Sequence, residues 1–157
     1  EGPIAIRFPK GTAFVSDKCD EAVFEAGKSS VIKQGKDIAI ITVGNMFEEA
    51  EKAVELLEKE SVYPTVIDAR FIKPIDEQMI EKAAREHKAI VVVEEAIKKG
   101  GYGEAVATYV HEKKLSTTVH IMAIDDRFVE QGQVSELRER LGLNYRKIYE
   151  KVLELTK

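Results

Sequence analysis

The run Ala89–Val93 (AIVVV) constrains this chain more than any other stretch. An unbroken apolar segment of β-branched residues suits a strand buried on both faces, as in a parallel sheet covered by helices on each side. The run ends in two carboxylates, Glu94 and Glu95. A short basic turn then leads to Gly100, Gly101 and Gly103, after which helical spacing begins. Strand, acidic edge, glycine turn and helix form half of a βαβ unit. Ligands and partners of open α/β sheets gather at the carboxyl ends of the strands, so this turn is a candidate working edge.

The same alternation extends in both directions. Ile38–Val43 reads as a second buried strand closed by Gly44 and Asn45, and Val62–Ile67 as a third. Between them Met46, Ala50, Ala53, Val54 and Leu57 recur at helical spacing, with glutamates and lysines opposite, which predicts a helix over 47–59. Asp76 is placed to cap a second helix whose Met79, Ile80, Ala83 and Ala84 face the sheet. A third helix is expected over 103–113, a last strand over 117–124, a short helix over 135–140 stopped by Gly142, and a final helix over 145–155. From residue 37 onward the pattern predicts an α/β fold, a three-layer α/β/α sandwich with a mostly parallel sheet. Ahead of it, Ile4–Phe8 reads as a short strand stopped by Pro9 and Gly11. Residues 12–36 show no sustained period and read as an arm with short β-like pieces.

The individual motifs carry no complete active site. GGYG lacks the offsets of a dinucleotide loop and the Lys-Ser or Lys-Thr ending of a P-loop. A glycine turn opening a helix can still hold an anion on free N–H groups, and a purely structural tight turn is the competing reading. Glu94 and Glu95 are adjacent on a strand and point to opposite faces, so they cannot share one site as an acid–base pair. Arg70, Arg127 and Asp126 stand at strand ends. Arg70 and Arg127 are candidates to pair with Glu94, Asp68 or Asp125 in an interface network around the carboxyl edge. A single Cys19 and three unclustered histidines offer neither a disulfide framework nor metal-ligand spacing.

With 24 basic and 28 acidic residues the formal charge is −4, which disfavours nucleic acid as the main partner. No stretch approaches the roughly 20 apolar residues of a membrane span, and no secretory leader opens the chain. A cytoplasmic location follows as the expectation. A start without methionine that enters a strand almost at once reads as a piece of a longer polypeptide.

Several segments taken in order carry a resemblance: GPIAIRFPKG at 2–11, GKDIAIITVGNM at 35–46, DARFIKPID at 68–76, VVVEEAIKKGGYG at 91–103, DRFVEQG at 126–132 and SELRERLGL at 135–143. Together they resemble the C-terminal part of the 1-deoxy-D-xylulose-5-phosphate synthase family, thiamine-diphosphate enzymes of the transketolase superfamily. Transketolases and 2-oxo-acid dehydrogenase beta subunits share the fold. A free-standing anion- or partner-binding α/β module is the alternative outside the superfamily.

The resemblance implies a domain division of 1–16 as the tail of a pyrimidine-binding domain, 17–36 as a linker arm and 37–157 as a transketolase C-terminal domain. It implies a transferase that condenses pyruvate with glyceraldehyde 3-phosphate, releasing carbon dioxide, for isoprenoid and thiamine biosynthesis. Thiamine diphosphate and Mg2+ would be held by cofactor-binding domains upstream in the same polypeptide, in a homodimer. No cofactor is expected on this piece, which lacks the GDG…N motif and the activating glutamate and should be inactive alone. The family's RYPRG segment places a substrate-phosphate contact at its second basic position, which is Lys10 here, with Arg7 at the first. Lysine keeps the charge but loses the bidentate fork of arginine. Family members often carry His where this chain has Gln131.

Overall fold

The computed structural model describes residues 24–157, together with residues 2, 3 and 5. Among these described residues five strands form one sheet in the order β1-β3-β2-β4-β5: β1 (Ser30–Lys33), β2 (Ile38–Thr42), β3 (Thr65–Asp68), β4 (Ala89–Ile97) and β5 (Thr118–Ile124). β3, β2, β4 and β5 run parallel, whereas β1 pairs antiparallel with β3 at the edge. The helices are α1 (Met46–Lys59), α2 (Glu77–Glu86), α3 (Tyr102–Glu112), α4 (Val134–Leu141) and α5 (Tyr145–Thr156).

Alternation along each strand divides the core in two. Ile38, Ile40, Val66, Val91 and Val93 face α1 and α5, where Met46, Ala50, Leu57, Ile148 and Val152 cover them. Ala39, Ile41, Ile67, Ile90 and Val92 face α2 and α3, under Ile80, Ala83, Tyr102, Val106 and Val110. Because both faces of β2 and of the first half of β4 are covered, these strands carry unbroken apolar runs. The three-layer α/β/α sandwich expected from the sequence is the observed architecture.

The differences from the sequence reading have local causes. β3 starts at Thr65 because Pro64 has no N–H for the ladder. Val62 instead donates its N–H back to Leu57, closing α1. The organising strand does not stop at Val93. It runs on through both glutamates to Ile97, where a register shift against β5 sets Ile97 beside Ile124. Part of the stretch read as an arm also joins the sheet as β1. Asp76, the N-cap of α2, holds this edge: it accepts from Met79 N (3.1 Å) and reaches across to Ser29 N (2.8 Å).

The entry to the sheet is pinned by a pair of contacts between the starts of β2 and β4. Lys88 N donates to Asp37 O (2.8 Å) and its ammonium meets the Asp37 carboxylate (2.8 Å). The hydrogen bond from Lys88 holds the Asp37 carboxyl below its usual range, outweighing burial. A carboxyl lowered on folding contributes stability fully above the ordinary carboxylate range and loses it as pH falls through the lowered value. The pair is partly exposed, so Asp37→Asn, which tolerates the left-handed backbone at φ 63°, should cost roughly 0.5 kcal/mol at neutral pH. Urea unfolding should show that difference at pH 7 and none in strong acid.

Candidate functional site

The carboxyl edge of the parallel strands was the expected site, and Glu94 is its most buried charged group, at 1% exposure. Its side chain lies on the α3 face of β4. Tyr102 N donates to one carboxylate oxygen (2.9 Å) and Gly103 N to the other (2.8 Å). These are orphan donors at the start of α3, where the helix dipole also favours negative charge. The chain therefore supplies its own anion to two N–H groups of the glycine turn.

The glycines explain how the carboxylate gets so close. A Cβ on Gly101 would lie 2.6 Å from Ile97 O and 2.7 Å from a Glu94 oxygen. One on Gly103 would lie 2.6 Å from the Ile121 side chain and 3.1 Å from Glu94. Gly100 adopts φ 75°, which turns the chain into the helix, and its N–H bonds Glu104 (2.6 Å). Burial, with Asp76, Glu94 and Asp68 nearby, pushes the Tyr102 hydroxyl well above its usual range, so it stays protonated.

Glu95 points to the other face, as strand alternation requires. It accepts two bonds from Arg138 of α4, at 2.8 and 3.1 Å. The same guanidinium lies 3.6 Å from Glu49 of α1, and Glu49 accepts Tyr145 N at the start of α5 (2.8 Å). The bond to Glu95 raises the Arg138 pKa against the effect of burial. Neither Arg138 nor Glu49 was singled out from sequence. The available signal was a glutamate inside the apolar stripe Met46, Ala50, Ala53.

The remaining candidates are not drawn together. Arg70, in left-handed backbone at φ 56°, stacks over Phe24 (4.8 Å) and approaches Asp68 (3.9 Å) but does not pair with Glu94. Among the described residues its buried Nε has no hydrogen-bond partner. Asp126 and Arg127 are exposed, and among the described residues Arg127 makes no ion pair with Glu94, Asp68 or Asp125. Arg127 instead lines an open cleft of about 280 Å³ with Phe128, Leu137 and Arg140. Lys10 and Arg7 lie outside the described residues.

Residues 27–148 match the family described as transketolase, C-terminal domain. The chain belongs to the transketolase C-terminal domain family. Among curated proteins, this transketolase C-terminal domain is similar to the 1-deoxy-D-xylulose-5-phosphate synthase of Dictyoglomus turgidum, with 39% identity over 98% of this chain and 25% of that protein. The synthase of Heliobacterium modesticaldum is 41% identical over 91% of this chain and 22% of that protein. The chain thus spans about a quarter of the length of these relatives. Among solved structures, one titled "Split gene transketolase, inactive beta4 tetramer" aligns with a TM-score of 0.77 and 33% identity, over 86% of this chain and 43% of that one. A transketolase variant from Pichia stipitis shares the fold, at TM-score 0.59 and 18% identity over 83% of this chain and 18% of that one.

The described residues do not fit a thiamine diphosphate or Mg2+ site. Among them no three His, Cys, Asp or Glu side chains cluster for a metal. The N–H groups at the start of α3 that could receive a phosphate already hold Glu94. No helix among them is long and apolar enough to cross a membrane.

If Glu94 holds the turn, Glu94→Gln, whose amide must present an N–H to one of these donors, should cost about 1–3 kcal/mol. Gly103→Ala should cost a similar 1–3 kcal/mol by overpacking against Ile121. Urea denaturation of both variants would test this, and parent-like stability of Glu94→Gln would remove the carboxylate from that role.

Proposed function

We propose that this domain is part of a thiamine-diphosphate-dependent 1-deoxy-D-xylulose-5-phosphate synthase, which joins pyruvate to glyceraldehyde 3-phosphate with loss of carbon dioxide. The observation that carries the reading is similarity to such synthases along nearly the whole chain, 98% of it at 39% identity. The domain supports assembly and does not carry the carbon chemistry. Thiamine diphosphate and Mg2+ are held by other domains of the same cytoplasmic polypeptide, which acts as a homodimer, and the 157-residue piece is inactive by itself. The domain boundaries follow the resemblance, with the linker arm contributing β1 to the sheet. The Nε of Arg70 at the end of β3, without a hydrogen-bond partner among the described residues, supports a carboxyl edge, including Glu95, Asp126 and Arg127, that faces the rest of the enzyme.

A second reading makes this chain the carboxyl part of a split transketolase subunit, which the 33% identity to such a protein favours. An anion-binding module is less well supported, because Glu94 already fills the glycine turn.

The test is to capture the native polypeptide from its source cells and assay it with thiamine diphosphate, Mg2+, pyruvate and glyceraldehyde 3-phosphate. Deoxyxylulose phosphate is the expected product. Turnover of a ketose donor without use of pyruvate would favour the split transketolase. In the active protein, Lys10→Ala should raise KM for glyceraldehyde 3-phosphate about tenfold or more by loss of a charge-assisted bond. KM for pyruvate should stay near the parent value. Equal rises for both substrates would remove Lys10 from phosphate recognition.

A further inference from the structure

The connection from β5 to α4, residues 125–133, is exposed throughout, and its Phe128 is the most exposed large apolar side chain among the described residues. Local contacts set its path. Arg127 N donates to Asp125 O (2.7 Å), which turns the chain directly after β5. Gly132 then brings the backbone onto α4, where a Cβ would lie 3.2 Å from the Leu137 side chain. On α4, Leu137, Arg140 and Leu141 stand at i, i+3 and i+4 and share one face of the helix. That face and the connection line the open cleft of about 280 Å³, with Arg127, Phe128 and Glu130 on the loop side and Arg140 on the helix side.

The charges of the cleft indicate what it would hold. Among the described residues Arg70, Arg85 and Arg138 each face a carboxylate, and Arg146 bonds the Tyr145 hydroxyl. Arg127 and Arg140 have no such partner among those residues, and both line this cleft. Glu130, in the same wall, pairs with neither of them. The wider surface is nearly balanced: Asp125, Asp126 and Glu136 are exposed, as are Lys98 and Lys99, and Glu139 is engaged by Asn144. The cationic excess is therefore local, two guanidiniums against one carboxylate.

We propose that this cleft binds a nucleoside monophosphate, with the phosphate between Arg127 and Arg140 and the base stacked on Phe128. Guanidinium forks suit phosphate oxygens, and two of them match a doubly charged group better than a single carboxylate. The free ring face of Phe128 suits a planar base, and Leu137 and Leu141 give the cleft an apolar floor. Glu130 is placed to accept from a hydroxyl or amino group of the ligand. The volume lies near the lower end of small-ligand pockets, roughly 300 Å³. If the carboxyl edge faces the rest of the enzyme as proposed above, the ligand sits at a domain boundary, where such sites concentrate. Binding rests on residues of this chain alone, so a failed synthase assay leaves it standing.

Titration of the 157-residue chain with AMP, followed by amide NMR shifts, tests it. Saturable shifts confined to residues 125–141 are expected, with a Kd of about 1 mM or tighter. Adenosine, which lacks the phosphate, should bind at least about tenfold more weakly. Arg127→Gln and Arg140→Gln should each weaken AMP by about tenfold or more, whereas Arg146→Gln, outside the cleft, should leave its Kd unchanged. Phe128→Ala should weaken AMP by about tenfold and leave binding of inorganic phosphate as it was. All four side chains are exposed, so the unfolding midpoints of the variants should match the parent. Absence of saturable binding, adenosine binding as tightly as AMP, or arginine variants that bind AMP like the parent would overturn the proposal.

Discussion

The carboxylate of Glu94 under the first turn of α3 is the contact that the carboxyl edge depends on. A buried carboxylate without partners is very costly, and so are the orphan N–H groups of a helix start. Each supplies what the other lacks, in a charge-assisted arrangement stronger than a neutral hydrogen bond. The backbone must come within reach of the carboxylate, which requires that residues 101 and 103 carry no Cβ. The same absence at Gly103 lets α3 sit directly on Ile121 of β5. One interaction therefore places β4, α3 and β5 relative to one another.

On the opposite face a second polar group performs a similar service. Arg138 joins Glu95 at the end of β4 to Glu49 on α1, and Glu49 in turn caps the start of α5. Arg138 and Glu49 are 12% and 11% exposed, so their pairing loses less to screening than a surface pair, whereas Glu95 stands more open to solvent. Its fork geometry is what a lysine could not reproduce. Both glutamates at the end of β4 are thus used to attach helices, one on each side of the sheet. Both carboxylates at the end of β4 are therefore engaged with neighbouring groups.

Much of this was legible in the chain itself. The buried strands announce themselves as unbroken apolar runs, and their alternation with amphipathic helices leaves few topologies open. Asp76 and Gly142 could be read as cap and stop because their effects act within a few residues: Asp76 accepts Met79 N, and Gly142 takes φ 69° after α4. The opposed directions of Glu94 and Glu95 also followed from strand geometry alone. Pro64 was a local signal against starting β3 at Val62.

The partners of those glutamates were not legible. Glu94 meets residues eight and nine positions on, across a turn whose path depends on how α3 packs. Glu95 meets Arg138 across 43 residues, and Glu49 meets Tyr145 across 96. Composition and periodicity determined the layers, the buried faces and the helix ends, because those depend on solvent and on neighbours in the chain. Only the tertiary structure decided which charges pair and which strands lie at the edges of the sheet, because a hydrogen bond acts over about 3 Å of space and is blind to separation along the sequence.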